Sequence, residues 1–270
     1  MIDLLADIGE VLPRLVREGL LATLTAFGGG ALLTIVLAVL LGLALHQGSA
    51  WMRGIARVIV ELFRGTSLVV QLFFLFYVIP TLTGFDLGST GSAIVGLGLN
   101  YGAYGAEIVR GSLNAVPKVQ WESTTALSMS WTTKMRRVIW PQAWALMLPG
   151  FNNLLVMLVK GTAVVSLVLV ADLTFEADRA RRLYGTWPAY LAVLILYFLV
   201  ALAVSLVLRR MEKHAQRRLG LGDAQMSKAR ARADKVMAGA AAAGGSMGVG
   251  GGFGTTPITD EKDQRREEES

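Results

Sequence analysis

The side chains able to do chemistry are few, and their scarcity narrows the possibilities at once. The 270 residues hold two histidines and no cysteine. Disulfides, thiolate metal sites and cysteine nucleophiles are therefore excluded, and His46 and His214 leave little scope for imidazole chemistry. No G-x-x-x-x-G-K-[ST] run offers a phosphate cradle, and no paired carboxylates or nucleophile motif suggests a membrane enzyme. What remains is a handful of polar groups inside apolar stretches, where ionisable residues mark function by default. Lys160 interrupts one such stretch, 19 residues after Pro141, about 28 Å along a helix. It either snorkels to the outer surface or faces a pathway in which a substrate carboxylate neutralises it. Asn152 and Asn153 either line that same path, with Thr162 beyond them, or hydrogen-bond between helices. Glu107 and Arg110, at i and i+3, are spaced to pair with each other.

The elements that position these residues are set by composition. The chain is 53% hydrophobic and only 17% charged, with mean hydropathy +0.51, far too apolar for a soluble domain. Crossing a bilayer takes about 20 apolar residues. Runs long enough or nearly so fall at 19–45, 67–82, 91–106, 143–159 (continuing through 162–171) and 186–208. The second is short, so its helix is expected to start upstream, within 55–63. Lys and Arg mark cytoplasmic loops. They follow the first run (Arg53, Arg57, Arg64), the third (Arg110, Lys118, Lys134, Arg136, Arg137) and the fifth (Arg209, Arg210, Lys213, Arg217, Arg218). The fold expected is an all-α integral membrane protein of five spans, with the N-terminus outside and the C-terminus in the cytoplasm. Trp187 and Tyr190 then sit at the outer interface. The formal charge of +6 orients spans and needs no nucleic acid.

Three domains of behaviour follow. Residues 1–18 carry an apolar stripe at helical spacing, suited to a short interfacial helix. They lack the basic start of a cleavable signal peptide. Residues 19–218 form the membrane domain. Residues 219–270, rich in Gly and Ala and then in mixed charge, cannot bury a core and are expected to be disordered. Within the membrane domain, 51–64 is amphipathic and reads as a surface helix ahead of the second span. Gly98, Gly102 and Ala106 form a stripe of small residues that lets two helices approach closely, within this subunit or at a partner.

The segment 107–142 is too long for a turn and too organised for a tether. Pro117 suits the first turn of a helix running through Gln120, Glu122 and Leu127. Ser128 to Ser130 break it, Ser130 caps a second short helix, and Pro141 restarts the chain into the fourth span. This loop resembles the "EAA" loop of bacterial ABC importer permeases. Glu122 holds the Glu, Ser123 and Thr124 stand where the alanines would be, and Ser128 replaces the Gly. Ile139-Trp140-Pro141 stands for Ile-Leu-Pro. The subgroup for polar amino acids is similar over residues 15–215, through Arg64-Gly65-Thr66 with Gln71-Leu72, Ala106-Glu107-Ile108 with Arg110-Gly111, Pro141-Gln142-Ala143, Pro149 with Asn152-Asn153, and Lys160-Gly161-Thr162. The run Lys160 to Ser166 also looks somewhat like ectoine-type permeases. The loop departs from the pattern in losing both alanines and the Gly, with Val119 where Gly often precedes the Gln, which bears on how closely a partner packs.

The resemblance implies a type I ABC importer transmembrane domain in the bacterial cytoplasmic membrane, moving amino acids or related small zwitterions by alternating access. It implies no catalysis and no cofactor in this chain, with ATP and Mg on a cytoplasmic ATPase dimer docked against 107–142. It further implies a second permease subunit, identical or different, and an extracytoplasmic solute-binding protein. The alternative class, a self-sufficient secondary transporter or channel, would show inverted repeats or buried acid relays, and neither is evident.

Overall fold

In lipid the backbone must satisfy its own hydrogen bonds, and in the computed structural model every regular element among the described residues is helical. The structure describes residues 8–13 and 15–219. The expectations for residues 1–7, and for the tail beyond Leu219, fall outside the described residues.

Helix α1 (Leu20–Gln47) follows a single wide turn at Leu15–Gly19. The amphipathic α2 (Ala50–Gly65) is capped by Ser49, whose hydroxyl accepts the Met52 N–H at 3.3 Å. Next come α3 (Leu68–Thr83) and the long α4 (Gly88–Ala115). The short α5 (Lys118–Ala126) lies between α4 and α6 (Trp131–Val168). Helix α7 (Leu173–Tyr184) precedes α8 (Thr186–Leu219).

By length and apolarity, three helices among the described residues qualify to cross a membrane: Ile8–Gln47, Trp131–Val168 and Thr186–His214. The count rises to four if α2 and α3 form one broken span. One expectation changes here. The second apolar run does not begin within 55–63, because the chain bends by 103° between α2 and α3. The third run does not reach the apolarity of a free-standing span. Asn100, Tyr101, Glu107 and Arg110 dilute α4, which is enclosed by protein along most of its length and needs less hydropathy than a lipid-facing helix.

Close approach of α1 and α4 explains four of their glycines. A Cβ at Gly98 would stand 2.5 Å from Leu33 Cδ2, one at Gly102 2.9 Å from Leu37 Cβ, and one at Gly105 2.6 Å from Ala38 Cβ. From the other side, a Cβ at Gly42 would meet Val109 Cβ at 2.6 Å and the Ala106 carbonyl at 2.9 Å. The stripe of small residues thus faces α1 of the same chain. The main core gathers Leu97, Leu113, Ile139, Met147, Leu154 and Leu158 between α4 and α6.

Pro141 does not restart the chain. A wide turn at Met135–Ile139 carries α6 through it unbroken, since Pro141 sits just after the turn, where its missing N–H interrupts little. The helix runs on past Lys160 as far as Val168, where Leu169 turns to positive φ (61°) and ends it. Beyond it, Asp172 caps α7, which takes up Leu173–Tyr184. At the N-terminal end, Ile8, Val11 and Leu15 pack with Leu173, Ala177 and Ala180 of α7 and with Ala189 and Ala192 of α8.

Candidate functional site

One end of the bundle carries α5, and the segment folds as two helices joined by a tight turn. The helix opens after Pro117 and ends at Leu127; Ser128 adopts φ 52°, and the Met129 N–H donates to the Thr124 carbonyl at 3.1 Å. Ser130 then caps α6, its hydroxyl accepting the Thr133 N–H at 3.4 Å. The inner face of α5 is anchored. Thr124 is buried, its hydroxyl donating to the Trp121 carbonyl. Gln142 on α6 donates to Gln120 Oε1 at 3.4 Å, and the Trp121 ring lies 5.7 Å from that of His46 at the end of α1. Lys134 Nζ donates to Thr125 Oγ1 at 2.8 Å, tying the start of α6 to α5.

The outer face of α5 is open. Glu122 and Ser123 are exposed beside Val119 and Leu127, which are 65% and 73% accessible, with Trp131 across the turn at 55%. An exposed carboxylate and accessible apolar side chains thus share one pinned helix. Ser128 also shows why a Gly suits that position, since the turn needs positive φ.

A second locus sits at the elbow between α2 and α3. The last carbonyls of α2 have no helical partners, and side chains supply them. Gln71 Nε2 donates to the Phe63 carbonyl (2.9 Å), the Thr66 carbonyl (3.2 Å) and Thr66 Oγ1 (2.7 Å). Asn100 on α4 donates to Phe63 O at 3.1 Å and to Gln71 Oε1 at 3.2 Å. The Tyr104 hydroxyl donates to the Arg64 carbonyl at 3.3 Å, and the Arg64 guanidinium lies 5.4 Å from the Tyr104 ring centre. The motif Arg64-Gly65-Thr66 with Gln71 therefore holds this bend in place. Asn100 and Tyr104, its other half, carry no signal in the sequence pattern.

The four residues named for a translocation path do not gather on one face. Asn153 and Lys160, seven residues apart, share an open side of α6 with Val156 between them, and Lys160 is exposed. Asn152 and Thr162 are turned inward. Asn152 Oδ1 is buried with no hydrogen-bond partner among the described residues, whereas Thr162 donates to the Val159 carbonyl at 2.7 Å. Gly161 has a plain reason: a Cβ there would overlap the Tyr101 hydroxyl, which donates to the Met157 carbonyl at 3.2 Å. Glu107 and Arg110 do pair, Arg110 Nη2 to Glu107 Oε2 at 2.6 Å.

At the opposite end from α5 lies a polar knot that the sequence did not announce. Asp172 caps α7, Oδ1 accepting the Phe175 N–H at 2.9 Å and Oδ2 the Tyr197 hydroxyl at 2.9 Å. The Leu173 N–H donates to Thr23 Oγ1 at 3.0 Å, joining α7 to α1. Burial raises the Asp172 carboxyl above its ordinary range, against the lowering effect of those hydrogen bonds.

Residues 30–217 match the family described as binding-protein-dependent transport system inner membrane component. Among curated relatives, a probable amino-acid ABC transporter permease protein, y4tF of Sinorhizobium fredii, is 40% identical over 65% of this chain and 76% of its own length. The arginine transport system permease protein ArtQ of Bacillus subtilis is 31% identical over 80% of this chain and 99% of its own. Among solved structures, the crystal structure of an amino acid ABC transporter with histidines superposes with TM-score 0.68 at 28% identity, over 75% of this chain and 94% of that one. An inward-facing structure of the MetNI methionine ABC transporter shares the fold, with TM-score 0.66 at 20% identity over 74% and 95%.

Proposed function

The chain belongs to the binding-protein-dependent transport system inner membrane components and is a membrane-spanning permease subunit of an ATP-driven importer; we propose that its cargo is an amino acid or a closely related zwitterion. The cargo reading is supported by relatives named for amino acids in general, for arginine and for cystine. The single observation that carries the mechanism is α5, a short helix pinned from inside by Gln120, Trp121 and Thr124 while Glu122, Val119 and Leu127 face outward.

In this reading α5 seats in a cytoplasmic ATPase dimer that supplies ATP and Mg, and a second permease completes the path. An extracytoplasmic binding protein delivers cargo at the end near α7. The five-span topology, N-terminus outside and C-terminus in the cytoplasm, counts α3 and α4 as crossings because Lys and Arg cluster after the first, third and fifth apolar runs. Closure of the ATPases draws two α5 helices together and rocks the spans about the path. Lys160 and Asn153, on the open side of α6, face that path. A self-sufficient carrier would have no use for an exposed docking helix of this kind.

The test is recovery of the chain from its host in mild detergent together with an ATPase, followed by Glu122→Ala. The variant should insert normally, lose ATPase association and lose uptake. A stable monomer that transports without any ATPase would sink the reading, and unchanged association and uptake in Glu122→Ala would remove α5 from the docking role.

A further inference from the structure

Helix α2 has a surface that neither the bundle nor the docking patch uses. Three faces separate around it. Ala56 and Val60 are buried against Leu45 of α1 and Ala103 and Ala106 of α4. Arg53, Arg57 and Glu61, each four residues apart, form an exposed charged edge. Trp51, Ile55, Val58 and Leu62 form an apolar face turned away from the bundle, with Trp51 83% and Val58 68% exposed. A contiguous apolar face of this kind marks an interaction surface.

Its position argues for the occupant. The 103° bend places α2 nearly in the membrane plane when α3 crosses the bilayer. Its buried side packs on the same ends of α1 and α4 from which α5 follows, so it lies at the cytoplasmic surface if α5 docks an ATPase. The elbow bonds from Gln71, Asn100 and Tyr104 hold it there. Arg64 is engaged by Glu61 and Tyr104. Arg53 and Arg57 make no ion pair among the described residues. Two unpaired guanidinium groups beside an apolar face match the anionic, amphipathic chemistry of the inner leaflet, and guanidinium binds phosphate bidentately.

We propose that α2 is a binding helix for anionic phospholipid of the cytoplasmic leaflet. Arg53 and Arg57 hold headgroup phosphates while Trp51, Ile55, Val58 and Leu62 lie among the acyl chains. The proposal rests on the permease reading for the side of the membrane on which α2 lies.

The full chain, purified with its partner subunits, is placed in nanodiscs of mixed phosphatidylcholine and phosphatidylglycerol, and retained lipid is counted by native mass spectrometry. The double variant Arg53→Gln/Arg57→Gln should lower the preference for phosphatidylglycerol by up to about thirtyfold, from about 1 kcal/mol per arginine near an anionic surface, and Arg53→Lys/Arg57→Lys should restore most of it. Because the chain has no cysteine, Val58→Cys can carry a single fluorophore, which nitroxide lipid labelled near the headgroup should quench. Equal phosphatidylglycerol retention in wild type and the Gln variant overturns the proposal. So does a Val58→Cys disulfide between two copies with no lipid quenching, which would assign the face to a permease–permease contact. Failure to recover an ATPase would overturn the permease reading instead, and both lipid measurements could still be made.

Discussion

Replacing Gly105 by Ala puts the close packing of α1 and α4 to a numerical test. The new Cβ would stand 2.6 Å from Ala38 Cβ and 3.3 Å from Leu154 Cδ2. Carbon atoms settle at about 3.5–4.0 Å, so the two helices must part by roughly 1 Å, because a methyl on Cα has no torsion that moves it aside. Overpacking costs about 1–3 kcal/mol, and Ala returns up to about 1 kcal/mol of helix propensity. The single variant should therefore lose about 0–2 kcal/mol. Ala38→Gly alone gives up propensity and one buried methyl, about 1–2 kcal/mol. The double variant moves the methyl across the interface. Cβ of residue 105 then faces Cα of residue 38 at 3.7 Å, an ordinary contact, and the propensity changes cancel. It should sit close to wild type, a coupling of about 2 kcal/mol, which reads as about 4–8 °C of non-additivity in thermal unfolding of the purified chain. Gly111→Ala, with nothing within 4 Å of its new Cβ, is the control on the same helix and should gain up to about 1 kcal/mol. If the shifts from Gly105→Ala and Ala38→Gly simply add, the two helices do not depend on this contact and the reasoning fails.

Three further outcomes follow from the polar geometry. Gln71→Leu removes the two amide N–H donors shared among the Phe63 carbonyl, the Thr66 carbonyl and Thr66 Oγ1, and leaves the Phe63 carbonyl to Asn100 alone; it should cost about 1–3 kcal/mol in detergent melts, and a loss below about 0.5 kcal/mol would show the elbow to be held otherwise. Lys160→Met should impair uptake while leaving ATPase association intact, whereas full uptake would return Lys160 to a snorkelling role. Asp172 is raised by burial, so the folded state binds its proton more tightly than the unfolded chain does. Stability from this group is then present at low pH and falls as pH rises from the unfolded value through the raised folded one. Asp172→Asn, which keeps an oxygen for the cap, should flatten the fall in melting temperature as pH rises above the ordinary Asp value of about 4; an unchanged slope would place the titration elsewhere.

Much of the site was legible because it is local. Pro117, Ser128 and Ser130 announce a helix, a break and a cap within one stretch of chain, and each does that work in the structure. Lys160 stands out simply as a charge in an apolar run. What stayed hidden depends on pairs distant in sequence. Asn100 matters through Phe63, Tyr104 through Arg64, Thr23 through Leu173 and Asp172 through Tyr197, and no spacing rule links such partners. The composition of the third run has a related reason. Hydropathy measures what a helix needs in lipid, but α4 is sheathed in protein and keeps polar and small residues that a lipid-facing span would lose. Pro141 misled because a wide turn ahead of it absorbs what would otherwise be a kink.

The same contacts determine how a pull on α5 would travel. Its inner face touches α1 through Trp121 and His46, and α6 through Gln120 and Gln142. Helix α1 is seated against α4 with no side chain to yield at Gly42 or Gly105, and α4 carries the elbow bonds that fix α2 and α3. At the far end, Thr23 ties α1 to α7, and Asp172 ties α7 to α8. Packed cores shift between discrete arrangements rather than deforming continuously. A displacement of α5 would therefore carry α1, α4 and α6 as one body. In the proposed importer, the freedom required for alternating access would then lie between this subunit and a second permease, along the side of α6 on which Asn153 and Lys160 stand.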